Sequence, residues 1–415
     1  MTDNFTFSFS RNGNYVFEDN DWTNINQNEF PIFRTEDILN FFRIQPHPFL
    51  DIVYMGTYWA GLVELNEETQ EIMIYDQENS TLQGAVGDER RERVSGMAFD
   101  DDNNLWLANF GAPEPISVLT PEGNWHSFNI GNNTSLTNVV IDNFDNKWFP
   151  VFGGNGGVIV FNQGERIEDP TDDIFRFISP NNSELTTNAI NDIEIDQEGS
   201  VWVATEEGPV IFDCGSDPFD SQCTGRRIRV LQDSIAAFLL ADVDINTIEV
   251  DGADRKWFGT TNGIFVQNAA GDEQELRFTS EDSPLFDNNI IELSFNGITG
   301  DMWVGSDGGL QVFRTKTTSA RRVHSSEVIA FPNPVPPDYE GPIGIKGLAN
   351  DANVKITDIN GKLVYETNSF GGQAIWDGRD FQGQRVATGV YLVFSATTDI
   401  FFDSDSFVSK ILVVR

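Results

Sequence analysis

The sequence predicts an all-β fold, in which a β-propeller of about six to seven four-stranded blades precedes a small antiparallel β-sandwich. Two observations support this prediction. A strand pattern led by tryptophan recurs through residues 1–314, and a series of shorter alternating strands fills residues 328–415. A Thr-, Ser- and Arg-rich stretch at 315–327 is predicted to be a solvated linker between them. A chain of 415 residues is long enough for these domains.

Six segments of the first domain share an apolar strand, an Asp-, Asn- or Gly-rich turn, a strand that begins near a tryptophan, and a third strand. "IEIDQEGSVWVATEEGPVIF" shows the pattern clearly, whereas the first segment lacks the turn signal. The tryptophans lie 42 to 55 residues apart, and such a period with several strands per unit is typical of propeller blades. They are Trp59, Trp106, Trp148, Trp202, Trp257 and Trp303. Packing between sheets is their simplest role, and sugar stacking is the alternative.

The N-terminal segment "SRNGNYVF" aligns with "SDGGLQVF" of the last repeat, so the chain opens partway through a blade. An open ring would leave strand edges unpaired. Two interpretations stay open: these strands close a seven-bladed ring with the last repeat, or the chain is the C-terminal part of a longer double-propeller protein. No signal peptide is visible at the start, so we expect an export signal to lie upstream.

Acidic residues dominate the predicted propeller, which holds 54 of them against 16 basic ones, in a chain of net charge −39. This charge argues against a nucleic-acid partner and against a bare anionic membrane. Solubility is the simplest interpretation, and bound divalent cations are the alternative. Asp100, Asp102 and Asn104 have the alternating spacing of a Ca²⁺ loop, but the Gly and the distal Glu of an EF-hand are missing. A tight turn before Trp106 explains them better, and no other cofactor is indicated.

Catalytic motifs are not evident, so the sequence predicts a protein that is not an enzyme. His47, His126 and His324 lie in unrelated contexts, without the partners of a catalytic triad. A propeller hydrolase would need carboxylates that converge in the fold, which sequence cannot show. Cys214 and Cys223 lie nine positions apart in a Gly-, Pro- and Asp-rich loop, which favours a small disulfide over two free thiols.

The C-terminal region reads as about seven short strands, which suits a small sandwich. The stretch "ANVKITDINGKLVYET" predicts a hairpin that turns at Asn360-Gly361. Further strands are predicted in "AIWDGRD", "GVYLVF" and "SKILVVR", and the Pro-rich "FPNPVPP" is an entry segment.

Both regions resemble known bacterial families. The repeats resemble the two-component-regulator propeller repeat of bacterial sensor ectodomains, although no kinase follows. The motifs "FPNPV", "VKITDINGKLV", "GVYLVF" and "KILVVR" resemble the type A C-terminal sorting domain of the Bacteroidetes type IX secretion system. The stretch "WDGRDFQGQRVATGVYLVF" is also similar to the Ig-like module of flagellar hook-capping proteins, which implies an Ig-like sandwich.

The combination of propeller and sorting-type domain resembles a family of surface components of the secretion apparatus itself. This resemblance implies a location at the cell surface and outer membrane, in an attachment complex with the sortase. It also implies a part in presenting anionic lipopolysaccharide for attachment to secreted cargo. The alternative is an ordinary exported adhesin or glycan-binding protein, whose sorting domain is only an export signal and is cut off in the 315–327 linker.

The charge distribution adds a hypothesis about the binding surface. An anionic glycolipid should be repelled by the acidic propeller, so we expect the near-neutral C-terminal domain to contact the lipopolysaccharide or a translocon partner. The basic residues proposed for this contact are Lys355, Lys362, Arg379, Arg385, Lys410 and Arg415. Ordinary solvated charges at strand edges are the alternative.

Overall fold

The computed structural model describes residues 12–18, 21–232, 235–319, 324–325, 328–350, 352–397 and 406–415. These residues form antiparallel sheets and one short helix. No helix among them is long and apolar enough to cross a membrane. The chain divides into two compact units, Met1–Asn246 and Thr247–Arg415, with the boundary inside strand β22.

The first unit contains strands β1 to β21 and helix α1. Its elements are β1 (Asn14–Glu18), β2 (Asp21–Ile25), α1 (Ile32–Thr35), β3 (Phe41–Pro46), β4 (Ile52–Thr57), β5 (Leu62–Asn66), β6 (Ile72–Tyr75), β7 (Gly84–Ala85), β8 (Asp88–Glu92), β9 (Val94–Phe99), β10 (Leu105–Asn109), β11 (Ile116–Leu119), β12 (Trp125–Phe128), β13 (Val140–Ile141), β14 (Lys147–Val151), β15 (Gly157–Asn162), β16 (Ile174–Ile178), β17 (Ile190–Ile195), β18 (Val201–Thr205), β19 (Val210–Phe212), β20 (Arg229–Gln232) and β21 (Ile235–Phe238).

Each propeller blade is a meander of consecutive strands. In the first unit, β3–β6, β9–β12 and β13–β16 form four-stranded sheets and β17–β19 a three-stranded sheet, while β1–β2, β7–β8 and β20–β21 are hairpins. Successive sheets pack closely at their first strands: a Cβ on Gly96 of β9 would lie 2.5 Å from the Asn138 Cα of the next sheet. The predicted β-propeller is confirmed.

One tryptophan of the predicted repeat does not lie in the strand to which the sequence assigned it. Strand β4 ends at Thr57, so Trp59 lies in the connection to β5, where the Arg91 guanidinium lies 3.4 Å from the centre of its ring. Tyr54 occupies the strand position that tryptophan takes in the later sheets, because it pairs with Gln45 in the register in which Trp202 pairs with Glu194. The missing turn signal before this segment is the sequence feature that separates it from the others.

The other blade tryptophans are fixed by the turn that precedes them. The carboxylate of Asp196 accepts the indole N–H of Trp202 at 2.8 Å and the backbone N–H groups of Glu198 and Ser200. The same i to i+6 bond joins Asp100 to Trp106, Asp142 to Trp148 and Asp251 to Trp257. We call this arrangement the clamped turn. All four indoles are at most 2% exposed, so these tryptophans are packing residues.

The second unit contains the remaining propeller strands and the C-terminal sandwich. Its strands are β22 (Ile245–Val250, which begins before the boundary), β23 (Lys256–Thr260), β24 (Gly263–Gln267), β25 (Gln274–Phe278), β26 (Ile290–Asn296), β27 (Asp301–Ser306), β28 (Gly309–Arg314), β29 (Ile329–Phe331), β30 (Ile343–Lys346), β31 (Asn353–Asp358), β32 (Leu363–Asn368), β33 (Gln373–Trp376), β34 (Gly389–Ala396) and β35 (Ser406–Val413).

The sandwich has one core between two sheets. Strands β22–β25 and β26–β28 complete the propeller sheets, and β29-β30-β33 and β32-β31-β34-β35 are the two sandwich sheets. Trp376, Ile356 and Ile411 are among the fully buried side chains of the shared core. The likeness of this sandwich to Ig-like modules stays a prediction.

Three threonines of the predicted linker are buried, whereas Lys316 and Ser319 are exposed. Thr315, Thr317 and Thr318 are at most 9% exposed. We call residues 315–319 the strap, because they run between the turns of the last two blades and the sandwich. The Thr315 N–H donates to the carbonyl of Gly300 on the blade side.

Glycines line the path of the strap on both sides. The N–H of Ser319 donates to the Gly297 carbonyl in the last blade, and the Thr318 carbonyl accepts the N–H of Gly372 in the sandwich, both at 2.8 Å. A Cβ on Gly252 would lie 2.0 Å from the Thr318 carbonyl oxygen. The threonines of the strap are buried because distant glycine turns let its backbone approach theirs, which its polar composition does not reveal.

Candidate functional site

The six basic residues predicted to bind glycolipid fall into three places. Arg379 and Arg385 pair across a turn, and Arg415 donates weakly to the carbonyls of Val386 and Tyr339 beside it. The turn at Asp358–Lys362 carries Lys362, which is exposed. Lys355 and Lys410 lie on the outer face of the four-stranded sandwich sheet, with β34 between them.

Carboxylates balance part of this positive charge. Arg385 pairs with Glu340 at 2.7 Å, and Lys355 lies 3.6 Å from Glu366. Arg379 lies 3.8 Å from Asp377. These are partly exposed pairs, so each contributes little to stability and leaves a cation near the surface. The structure therefore gathers three arginines at one end of the sandwich and separates them from the lysines.

The proposed Ca²⁺ loop is one of the clamped turns. Asp100 accepts four donors: the backbone N–H groups of Asp102 and Asn104, the Asn104 amide and the Trp106 indole, at 2.8 to 3.0 Å. The carboxylate is thus occupied in holding the turn. Within the described ranges, no group of three or more His, Cys, Asp or Glu side chains is arranged to hold a metal ion.

Two pairs of potentially reactive side chains have structural roles. The structure joins Cys214 and Cys223 in a disulfide, with Cα atoms 5.5 Å apart. His324 lies 2.5 Å from the Ser395 hydroxyl, but both residues are at most 9% exposed and lie within the sandwich. A substrate has no evident access to this pair.

The first strands of the early blades bring one group of ionisable residues together. Burial and, to a smaller extent, the charge of Asp192 raise the pKa of the Glu194 carboxyl to about 8, against the opposing effects of the Ile195 backbone N–H and the charge of Arg43. The Asp192 carboxylate accepts a long hydrogen bond from Asn138. A raised carboxyl pKa is compatible with acid–base chemistry, but a structural ion network produces the same shift.

An aromatic row crosses three successive blades of the first unit. The ring centroid of Phe110 lies 6.4 Å from that of Tyr58 and 6.4 Å from that of Phe152. The Arg93 guanidinium lies 4.7 Å from the centre of the Tyr58 ring. The same guanidinium pairs with Asp88 at 2.7 Å and is largely buried. Asp88 therefore balances the positive charge of Arg93 within the protein.

A cavity of about 800 Å³ lies in the second unit. Residues 294–298 and Trp303 of the last blade form one wall, Thr318 and Ser319 of the strap another, and Lys346 and Gly347 of the sandwich a third. Among these lining residues Lys346 alone is charged, although the chain carries 65 acidic residues.

Trp303 differs from the clamped tryptophans. Gly297 stands six positions before it, where the four clamped turns have aspartate, and its turn is one residue longer after Asn296. The Asn296 side-chain oxygen instead accepts the N–H groups of Ile298 and Thr299, each at 3.0 Å. Trp303 is only half-buried and contributes to the cavity wall. A single missing aspartate was the sequence signal for this difference.

Lys346 was not among the predicted basic residues. It lies on β30 opposite Ile329 and Gln373, and its neighbours Ile343 and Ile345 point into the core. Alternation therefore places Lys346 on the outer face of the three-stranded sheet. Its position beside a blade depends on packing between domains, which the sequence does not show.

Comparison with solved structures identifies one similar protein over almost the whole chain. The structure matches that of a Porphyromonas gingivalis protein, with a TM-score of 0.66 and 26% identity over 97% of this chain and 55% of the other. The chain is similar to PorZ. PorZ is described as an essential bacterial surface component of the type-IX secretion system. The sequence-based prediction of this resemblance is confirmed, and the chain spans about half the length of PorZ.

Other solved structures match more distantly. The extracellular domain of a hybrid two-component system from B. thetaiotaomicron has a TM-score of 0.48 and 12% identity, over 90% of this chain and 50% of that one. Virginiamycin B lyase from Staphylococcus aureus has a TM-score of 0.41 and 11% identity, over 73% and 94% respectively. No family model and no curated protein sequence matches the chain.

Proposed function

We propose that the protein is a non-enzymatic, cell-surface component of the type IX secretion system. It acts in the attachment complex with the sortase and helps present anionic lipopolysaccharide for attachment to cargo. The similarity to PorZ over 97% of the chain is the observation that carries this proposal. Deleting the gene should leave secreted cargo without attached lipopolysaccharide, as measured by its mobility and mass. Normal cargo attachment in the deletion strain would overturn the proposal.

The strap supports an apparatus component over an exported cargo protein. Cargo would be cut in the linker, but residues 315–319 are packed between blade and sandwich and bonded to both. We expect the mass of the surface-exposed protein to correspond to a C-terminus at Arg415. A terminus near Arg321 with an attached glycolipid would show that the protein is cargo.

The three arginines at the end of the sandwich are the proposed outer contact with anionic lipopolysaccharide. Reversing the charge at both Arg379 and Arg385 to glutamate should weaken capture of the glycolipid by the purified protein. Arg166→Glu is the matched control, because Arg166 is an exposed arginine of the first unit and is not one of the six proposed basic residues. Capture that is unchanged in the double variant would remove these arginines from the site.

A further inference from the structure

The cavity beside the strap has the dimensions and lining of a small-ligand site. Its volume of about 800 Å³ falls within the range of about 300–1,000 Å³ that such sites occupy. Three separate parts of the chain form its walls: the last blade, the strap and strand β30. Binding there would engage the propeller and the C-terminal sandwich together.

The charge of the lining selects for an anion. Among the described residues of the lining, Lys346 contributes the one formal charge. The surrounding protein is strongly acidic, so a site free of carboxylates is a local exception. A phosphate or carboxylate group that reaches Lys346 gains a charge-assisted hydrogen bond.

The neutral part of the lining suits a sugar. Trp303 provides indole surface, which packs against the C–H groups of a pyranose ring. Ser294, Asn296 and Ser319 add hydroxyl and amide groups around it. The Asn296 oxygen is already used by its own turn, so its amide N–H groups are the part suited to donate to a ligand hydroxyl.

We propose that this cavity binds one sugar unit that bears a phosphate or carboxylate group, with Lys346 on the anion and Trp303 against the ring. The inference rests on the proposed function for the source of the sugar, the glycan of an anionic lipopolysaccharide. It assigns that glycan a second contact, distinct from the three arginines at the far loop of the sandwich.

Calorimetric titration of the purified full chain with glucose 1-phosphate and glucuronate tests the site. Both should bind. Methyl glucoside lacks the anionic group and inorganic phosphate lacks the sugar ring, so each should bind with an affinity lower by about tenfold or more. Lys346→Gln should weaken binding of the anionic sugars by about tenfold or more, whereas the control Arg166→Gln, which removes an exposed cation of the first unit, should leave it unchanged. Trp303→Leu should weaken all sugars, and a melting curve establishes that this variant is folded.

Three results would overturn the inference: no binding of either anionic sugar, inorganic phosphate binding as tightly as glucose 1-phosphate, or equal losses in the Lys346 and Arg166 variants. The glycan released from its lipid should compete with glucose 1-phosphate. Competition by the intact glycolipid alone would point to lipid recognition and would also overturn it. If deletion abolishes cargo attachment while Lys346→Gln retains sugar binding, the cavity inference fails alone. If Lys346→Gln loses sugar binding while deletion leaves attachment normal, the proposed function fails alone.

Discussion

The four clamped blades and the last blade use the same strand pairing but treat their tryptophans differently. In the clamped blades an aspartate six residues earlier accepts the indole N–H, and the ring is buried. In the last blade Gly297 stands at that position and Trp303 keeps accessible surface inside a cavity. Strands β26 to β28 still pair along their length. The aspartate is therefore not needed to form a blade, and in the blade that lacks it the tryptophan lines a cavity.

Removing a clamp should have the largest effect on stability. Asp196→Ala leaves the buried Trp202 indole and two turn N–H groups without their acceptor, which should lower the free energy of unfolding by about 3 kcal/mol. Denaturant titration measures the loss. Glu198→Ala, which removes an exposed carboxylate from the same turn, should change stability little. Equal losses in both variants would mean that the turn is not held through Asp196.

Crowding the strap should have the next largest effect. Gly252→Ala would bring a Cβ against the Thr318 backbone, which cannot yield as a side chain can, and should cost about 2 kcal/mol. Limited proteolysis should then cut the linker faster. Gly154→Ala is the control, since no atom lies within 4 Å of the added Cβ. An unchanged digestion pattern in the Gly252 variant would argue against a tightly packed strap.

The two kinds of tryptophan should respond unequally to one substitution. Trp202→Phe leaves the Asp196 oxygen without its indole donor and should cost about 2 kcal/mol more than the loss of ring area alone. Trp303→Phe has no aspartate clamp to break and should cost less than about 1 kcal/mol. The comparison of unfolding midpoints decides whether the clamp, rather than ring burial, distinguishes the blades.

The smallest expected effect on stability concerns the first-strand residue that pairs with each tryptophan of the second strand. Glu194 opposes Trp202, whereas Ser294 opposes Trp303. Because the folded pKa of Glu194 lies above its ordinary value of 4.5, folding is penalised as pH rises above 4.5 toward 8, and the penalty is absent below 4.5. Glu194→Gln should therefore raise Tm by about 2 °C at pH 8 and leave it unchanged near pH 4. A Tm increase of equal size at both pH values would contradict the assigned cause.

Most of the blade architecture could be predicted from the sequence, because a local repeat encodes it. Aspartate and tryptophan six residues apart define the turn within one segment, and alternation defines the adjoining strands. The predicted strand position of Trp59 was wrong because this residue was identified by its type alone, without an aspartate six residues before it. The cavity could not be predicted from the sequence, because Trp303 and Lys346 are brought together only by packing of the blade against the sandwich. The burial of the strap likewise depends on glycines up to 66 residues away from Thr318, such as Gly252.

The strap also sets an order of assembly. Residues 315–319 bond to turns at Gly297 and Gly300, and those turns exist only when β26 and β27 have paired. Contacts between distant parts of a chain form after the local ones that create their surfaces. The sandwich therefore reaches its final position only on a finished last blade. The placement of the C-terminal domain thereby reports that the last blade has folded.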